Sequence, residues 1–119
     1  MATEVIVTDE FKVWYEGLTE AEQDRVAFSI GLLEARGVTL PFPYSSAIQG
    51  ASFALRELRT QAEGDPLRTF YAFDPSRQAV LLIGGDKTGD ENFYNRMIRI
   101  AERIWKEYLA ETGQAAPKK

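Results

Sequence analysis

The sequence predicts a single α+β domain. Three strand-like runs, Phe53–Thr60, Arg68–Phe73 and Ala79–Gly84, follow one another with only short turn signals between them. Helical patterns lie before and after this block, not inside it. Such segregation places helices against an antiparallel sheet. The chain has 119 residues, enough for one compact core and too few for two. About two-thirds of the unfolded surface can be buried at this size, so the core needs no covalent staple.

Taken in order, Glu4–Val7 alternates polar and apolar, as a short strand does. Thr8-Asp9-Glu10 reads as a helix start, a cap followed by first-turn acids. Phe11, Trp14 and Tyr15 share one face of that helix, and Gly17 ends it. Thr19-Glu20-Ala21-Glu22 fits a capping box, with Glu22 reaching back to Thr19. Val26, Ile30 and Leu33 then form an apolar stripe, widened by Phe28 and Leu32. Gly37 is a stop signal. Residues 9–37 are thus a helical hairpin with an acidic outer face, which reads as solvated surface. Residues 38–52 hold two prolines, three serines and a glycine, and read as a long loop with room for one helical turn. A loop of that length often crosses a sheet edge or touches a ligand.

The strand block comes next. Glu63-Gly64-Asp65-Pro66 and Asp74-Pro75-Ser76 mark its turns, because Pro and Gly break a ladder and Asp bonds nearby backbone. Three strands joined this way make an antiparallel meander. The middle run is apolar on both faces, with Tyr71 as core, so it is the central strand. Gly84-Gly85 permits a bulge or a sharp exit. Asp90 reads as the cap of a last helix over 92–111. One stripe of that helix is Phe93, Met97, Ile100, Ile104 and Tyr108, and its neighbour is Tyr94, Ile98, Ala101 and Trp105. Arg96, Arg99, Arg103 and Lys106 occupy the remaining face. The domain spans 1–111, and 112–119 reads as a disordered tail.

Composition narrows the chemistry. The chain contains no cysteine and no histidine. Disulfides, thiolate metal sites, Ser-His-Asp and Cys-His constellations are therefore excluded, and neither metal nor cofactor is expected. Catalysis must come from Asp, Glu, Lys, Arg, Tyr, Ser or Thr. No basic apolar leader or membrane-length run is present, so the expected location is cytoplasmic with no membrane partner. The net charge of −4 is unevenly spread: residues 1–50 carry eight acids and three bases, residues 51–119 ten acids and eleven bases. Such a balance disfavours unaided nucleic-acid binding, because phosphate neutralisation supplies most of that affinity.

Leu55-Arg56-Glu57-Leu58-Arg59, then Arg68-Thr69-Phe70-Tyr71-Ala72-Phe73, then Val80-Leu81-Leu82-Ile83 with Lys87-Thr88, resemble in order and spacing the sheet of HigB-like toxins in the RelE/ParE superfamily. The resemblance covers roughly residues 4–110. It implies a RelE-like fold, with N-terminal strand, helical hairpin, three-stranded meander and C-terminal helix. It implies the toxin half of a type II toxin–antitoxin pair, acting as a metal-independent endoribonuclease on mRNA at the ribosome. Its expected partner is a helix-turn-helix antitoxin, with DNA reached only through that complex. The alternatives within the superfamily are a ParE-like gyrase inhibitor and an inactive antitoxin-binding module.

RNA cleavage by its own 2′-hydroxyl needs a proton acceptor, neutralisation of the phosphorane and an acid for the leaving oxygen. Arg59 and Arg68, on neighbouring antiparallel strands, can converge on one phosphate, or else each pairs with an acid such as Glu57 or Asp65. Lys87 at the strand exit is a phosphate ligand or acid, against the simpler reading of a surface lysine. Glu57 is either the general base or the partner that orients Arg59 or Arg68, and the second reading is preferred. In the RelE branch the matching strand position is basic, so that chemistry does not transfer intact. Tyr94, seven residues after Lys87, matches the spacing of a catalytic tyrosine in that branch and also lies on the apolar helix face. Arg56, Arg96 and Arg99 are the expected RNA-binding residues, and Asp86 beside Lys87 lowers the local positive charge.

Overall fold

The structure, a computed structural model, describes residues 2–115. Its elements are β1 (Val5–Val7), α1 (Asp9–Glu16), α2 (Glu20–Arg36), β2 (Ser45–Ala47), β3 (Arg56–Ala62), β4 (Asp65–Phe73), β5 (Ala79–Asp86) and α3 (Phe93–Thr112). Among the described residues the strands form one sheet in the order β1-β5-β4-β3-β2. β1 runs parallel to β5, and every other pairing is antiparallel. The expected α+β class and meander are present, with β4 at the centre. None of the described helices is long and apolar enough to cross a membrane.

Local chemistry explains the helix starts. Thr8 Oγ1 accepts from the Phe11 amide at 3.2 Å, capping α1, and lies 2.8 Å from the Leu81 carbonyl, which ties the cap to β5. At α2 the Thr19 hydroxyl accepts from the Glu22 amide while the Glu22 carboxylate accepts from the Thr19 amide, so both halves of the capping box are made. The two cores lie on opposite faces of the sheet. Phe11, Val26 and Leu33 pack on Leu58, Tyr71 and Leu81 on one face, and α3 packs on Leu55, Phe70, Val80 and Leu82 on the other. Strand alternation makes this division, since successive side chains of β4 point to opposite faces.

Several expectations need correction. The 38–52 segment opens on a helical turn, as expected, a 3-10 turn over Gly37–Thr39, but the rest is not all loop: β2 adds an edge strand to the meander. Three residues are too few for a period-2 pattern to stand out in sequence. β3 begins three residues later than predicted, and the first hairpin is tighter. Ala62 pairs with Asp65, leaving only Glu63 and Gly64 in the loop, both at positive φ. That geometry matches the twist of the flanking strands. Asp65 and Pro66 therefore belong to β4. Pro66 has no N–H to return the bond it accepts from the Lys87 amide, and the β4–β5 ladder stops at Asp86.

Gly84 and Gly85 are inside β5 rather than at its exit. A Cβ on Gly84 would meet the Trp14 ring at 2.2 Å, and one on Gly85 would meet Phe93 at 2.8 Å. These positions admit aromatic rings on both faces of the strand. The irregularity in pairing falls nearby, where Phe70 pairs with Ile83 and Tyr71 with Leu81. Phe28 does not widen the α2 core stripe. It is 68% exposed, and Ser29 occupies the buried position through a 2.6 Å hydrogen bond to Thr60. Asn92, not Asp90, is the N-cap residue of α3; Asp90 instead accepts from the Asn92 amide and pairs with Arg96. Of the segment 112–119, Thr112 closes α3 and Gln114 hydrogen-bonds Asp74, while residues 116–119 lie outside the described residues.

Candidate active site

Glu57, Arg59 and Arg68 come together because of register. Glu57 pairs with Phe70 and Arg59 with Arg68 across β3 and β4. All three side chains emerge on the face that α3 covers. α3 adds Tyr94 from its first turn, and β2 adds Ser46 from the sheet edge.

The Glu57 carboxylate is the hub. It is only 4% exposed. Oε1 accepts from the Tyr94 hydroxyl at 2.7 Å, and Oε2 accepts from the Ser46 hydroxyl at 2.7 Å. Its two cations stand further off. Arg59 Nη1 lies 3.5 Å from Oε2, and Arg68 Nε lies 3.5 Å from Oε1. At Arg68 this is a coulombic contact without hydrogen-bond alignment, and among the described residues Nε–H is a buried donor with no acceptor. The Arg68 guanidinium donates from Nη1 to the Leu67 carbonyl at 3.0 Å. A guanidinium offers five donors. A buried guanidinium with its Nε donor unfilled is well disposed toward an anion.

Lys87 leaves β5 beside this group, its Nζ 5.6 Å from the centre of the Tyr94 ring. Tyr94 is thus both packed and polar: its ring meets Phe70 and Phe93 edge-on while its hydroxyl reaches Glu57. Burial raises the Tyr94 hydroxyl above its ordinary pKa, and the bond to Glu57 raises it further, with Arg68 opposing. Tyr94 therefore keeps its proton at neutral pH and is a donor. A cleft of about 270 Å³, lined by Ala47, Ile48, Gln49, Glu57 and Tyr94, opens onto the cluster.

The expected RNA-binding residues are not gathered here. Arg56 lies on the opposite sheet face, its Nε donating to Ser45 Oγ at 3.1 Å, and Ser45 meets the buried Tyr71 hydroxyl. Arg96 is held by Asp90 and lies over the Phe93 ring. Arg99 is exposed, and residues at such spacings from Tyr94 do not share its side of the helix. Asp86 accepts from the Thr88 amide at 2.9 Å, which shapes the Lys87 turn. Ser46 is the residue that sequence reasoning missed, since it sits in the segment read as loop. Among the described residues no group of three or more acidic, His or Cys side chains is placed to hold a metal ion.

The sequence profile of phage-derived Gp49-like proteins matches residues 13–106. A protein of Mycobacterium tuberculosis named as a candidate toxin, HigB3, is 36% identical over 108 residues, which take in 89% of this chain and 93% of that protein. A second from the same organism, the candidate toxin HigB2, is 31% identical over 114 residues, 93% of this chain and 57% of that protein. In fold the chain is similar to one in the crystal structure of the archaeal RelE–RelB complex from Pyrococcus horikoshii. The TM-score is 0.55 at 16% identity, over 76% of this chain and 100% of that one.

Proposed function

The chain belongs to the Gp49-like family, as a HigB-like member of the RelE/ParE superfamily, and from that premise we propose that it is the toxin of a type II toxin–antitoxin pair that cuts mRNA on the ribosome. The observation that carries the nuclease reading is Arg68: a buried guanidinium with an unfilled donor, beside Glu57, Arg59, Tyr94 and Lys87.

The roles follow from protonation and reach. Arg68 and Arg59 turn from Glu57 toward a scissile phosphate, exchanging loose 3.5 Å pairings for charge-assisted bonds. Lys87 adds a third positive charge. Glu57, freed of its cations, takes the proton of the 2′-hydroxyl. The 2′-oxygen bonds to phosphorus, the bond to the 5′-oxygen breaks, and a 2′,3′-cyclic phosphate is left. Tyr94, which holds its proton, gives it to the leaving 5′-oxygen. Ser46 keeps the carboxylate aimed throughout. Arg56, Arg96 and Arg99 serve as outer contacts to RNA or ribosome. The partner in the cell is an antitoxin, of the helix-turn-helix kind, and the pair meets DNA through it. The cytoplasm is the compartment where ribosomes and messages are available.

The chain's net charge of −4 suits a substrate delivered by the ribosome rather than captured free. The test is induced expression in a bacterial host with mapping of mRNA 5′ ends, beside an Arg68→Ala strain. New ends inside translated frames, absent in the variant, are expected. Growth arrest with intact messages and altered DNA topology would transfer the protein to the gyrase-inhibitor class. No arrest would leave an antitoxin-binding module.

A further inference from the structure

Arg59 faces two ways. One side of its guanidinium meets Glu57, and the other lies over the Phe42 ring, 5.2 Å from its centre. Beyond it, past the end of β2, the edge of β3 meets Tyr44, whose carbonyl accepts from the Arg59 amide at 2.9 Å, and Arg25, whose Nε donates to the Gln61 carbonyl at 3.1 Å. A cleft of about 220 Å³ lies there, lined by Arg25, Phe28, Leu32, Tyr44, Arg59 and Gln61 among others. Its aromatic residues, Phe28 and Tyr44, are 68% and 49% exposed, and Phe42, under the Arg59 guanidinium beside it, is 68% exposed. The other clefts differ in charge. Those near α1 and the C-terminal half of α3 are lined by Asp9, Glu10, Glu107 and Glu111, whereas no acid lines this one.

We propose that this cleft is a base-binding subsite, which takes an unstacked base of the single-stranded RNA next to the cleaved phosphate. Exposed rings beside arginines are the composition that binds single strands: each base stacks on an aromatic face while cations follow the backbone. In a chain of net charge −4, two arginines without an acid among the lining residues favour a polyanion. Size narrows the occupant. The volume is below the roughly 300–1,000 Å³ typical of small-molecule pockets, which suits one planar base and not the apolar face of a helix. Continuity supplies the address, because Arg59 belongs to both the cleft and the catalytic cluster. Gln61 offers hydrogen bonds to a base edge: the exposed side chain itself, with its carbonyl already held by Arg25 Nε at 3.1 Å.

The inference rests on the nuclease reading, and the test separates them. Ribosomes are programmed with a message containing 4-thiouridine at positions flanking the cut, and the full-length protein is added. Wild-type cleavage, with photocrosslinks to Phe28 or Tyr44, is the expected result. Phe28→Ala should weaken cleavage roughly tenfold, through KM more than kcat, and Phe28→Trp should restore it. Both variants should melt with the wild type, given the exposure of Phe28. Arg25→Gln is the second variant and should weaken cleavage in the same sense. Wild-type cleavage with no crosslink in the cleft, and none lost in Phe28→Ala, overturns the subsite and leaves the nuclease standing. Retained cleavage with weakened antitoxin binding would make the cleft a protein-docking surface and also overturn it. No cleavage by the wild type overturns the nuclease reading, and the subsite with it.

Discussion

Two buried carboxylates on this sheet invite comparison. Glu57 and Asp74 are each 4% exposed, and each accepts a hydrogen bond of 2.7 Å from a tyrosine of α3. Tyr94 serves one and Tyr108 the other, about four turns apart on the helix. The rest of each environment differs. Among the described residues Asp74 is met only by neutral donors: the Gln78 amide at 2.9 Å, the Tyr108 hydroxyl, and Gln114 Nε2 at 3.3 Å. It fastens the β4–β5 turn to the end of α3. Glu57 is met by two hydroxyls and by two cations that hold back at 3.5 Å. Burial with a tyrosine partner is thus common to a structural knot and a candidate active site. The under-filled arginine is what tells them apart.

The sharpest way to break this comparison is Arg68→Ala. Cleavage should fall by about 10²–10³-fold, the usual cost of removing one preorganised donor to developing charge. End-mapping or a ribosome-programmed cleavage assay checks it, and full activity would return Glu57 to the structural class with Asp74. The converse substitution is Asp74→Ala. It strands the Tyr108 hydroxyl and the Gln78 amide, so unfolding should become easier by about 1–3 kcal/mol in urea titration, with cleavage retained below the melting point. Loss of cleavage in a folded Asp74→Ala protein would undo the division of labour.

Ser46→Ala should have a smaller effect. One of four groups aiming Glu57 is removed, worth about 1 kcal/mol, so a several-fold fall in the cleavage rate is expected from a positioning residue, with recovery in Ser46→Thr. The last prediction concerns alkaline pH. Burial, then the bond to Asp74, push the Tyr108 hydroxyl up to about 12 from an ordinary 10.0. A raised folded-state pKa means its contribution to stability is complete below pH 10 and is lost as pH rises toward 12. Alkaline unfolding followed by tyrosinate absorbance should show that loss, and Tyr108→Phe should remove it.

Legibility in the sequence varied with the range of the interaction. Thr8, and Thr19 with Glu22, were readable as caps because cap and partner lie within one turn of each other. The central position of β4 was readable because both its faces are apolar. β2 was not, since its pairing partner β3 lies about ten residues further along and its own three residues carry no period. The site was legible as a set of charged residues on neighbouring strands, although Arg59 and Arg68 sit within β3 and β4 and not at their ends. Its membership was not: Arg56 shares the motif with Glu57 and Arg59, yet strand alternation sends it to the other face, and Ser46 joins from the segment read as loop.

Composition and periodicity by themselves determined the α+β class, the starts of α1 and α2, and the absence of thiol and imidazole chemistry. These depend on residue type and on spacings of two to four residues along the chain. Tertiary structure alone decided which hydroxyls hold Glu57, that Arg68 is buried with a donor unfilled, and that Phe28 faces solvent beside Arg59. Those outcomes depend on strand register and helix placement, which bring together residues as far apart as Tyr94 and Glu57, 37 positions along the chain. Hydrogen bonding and desolvation act over a few ångströms of space, and the sequence orders residues only along the backbone.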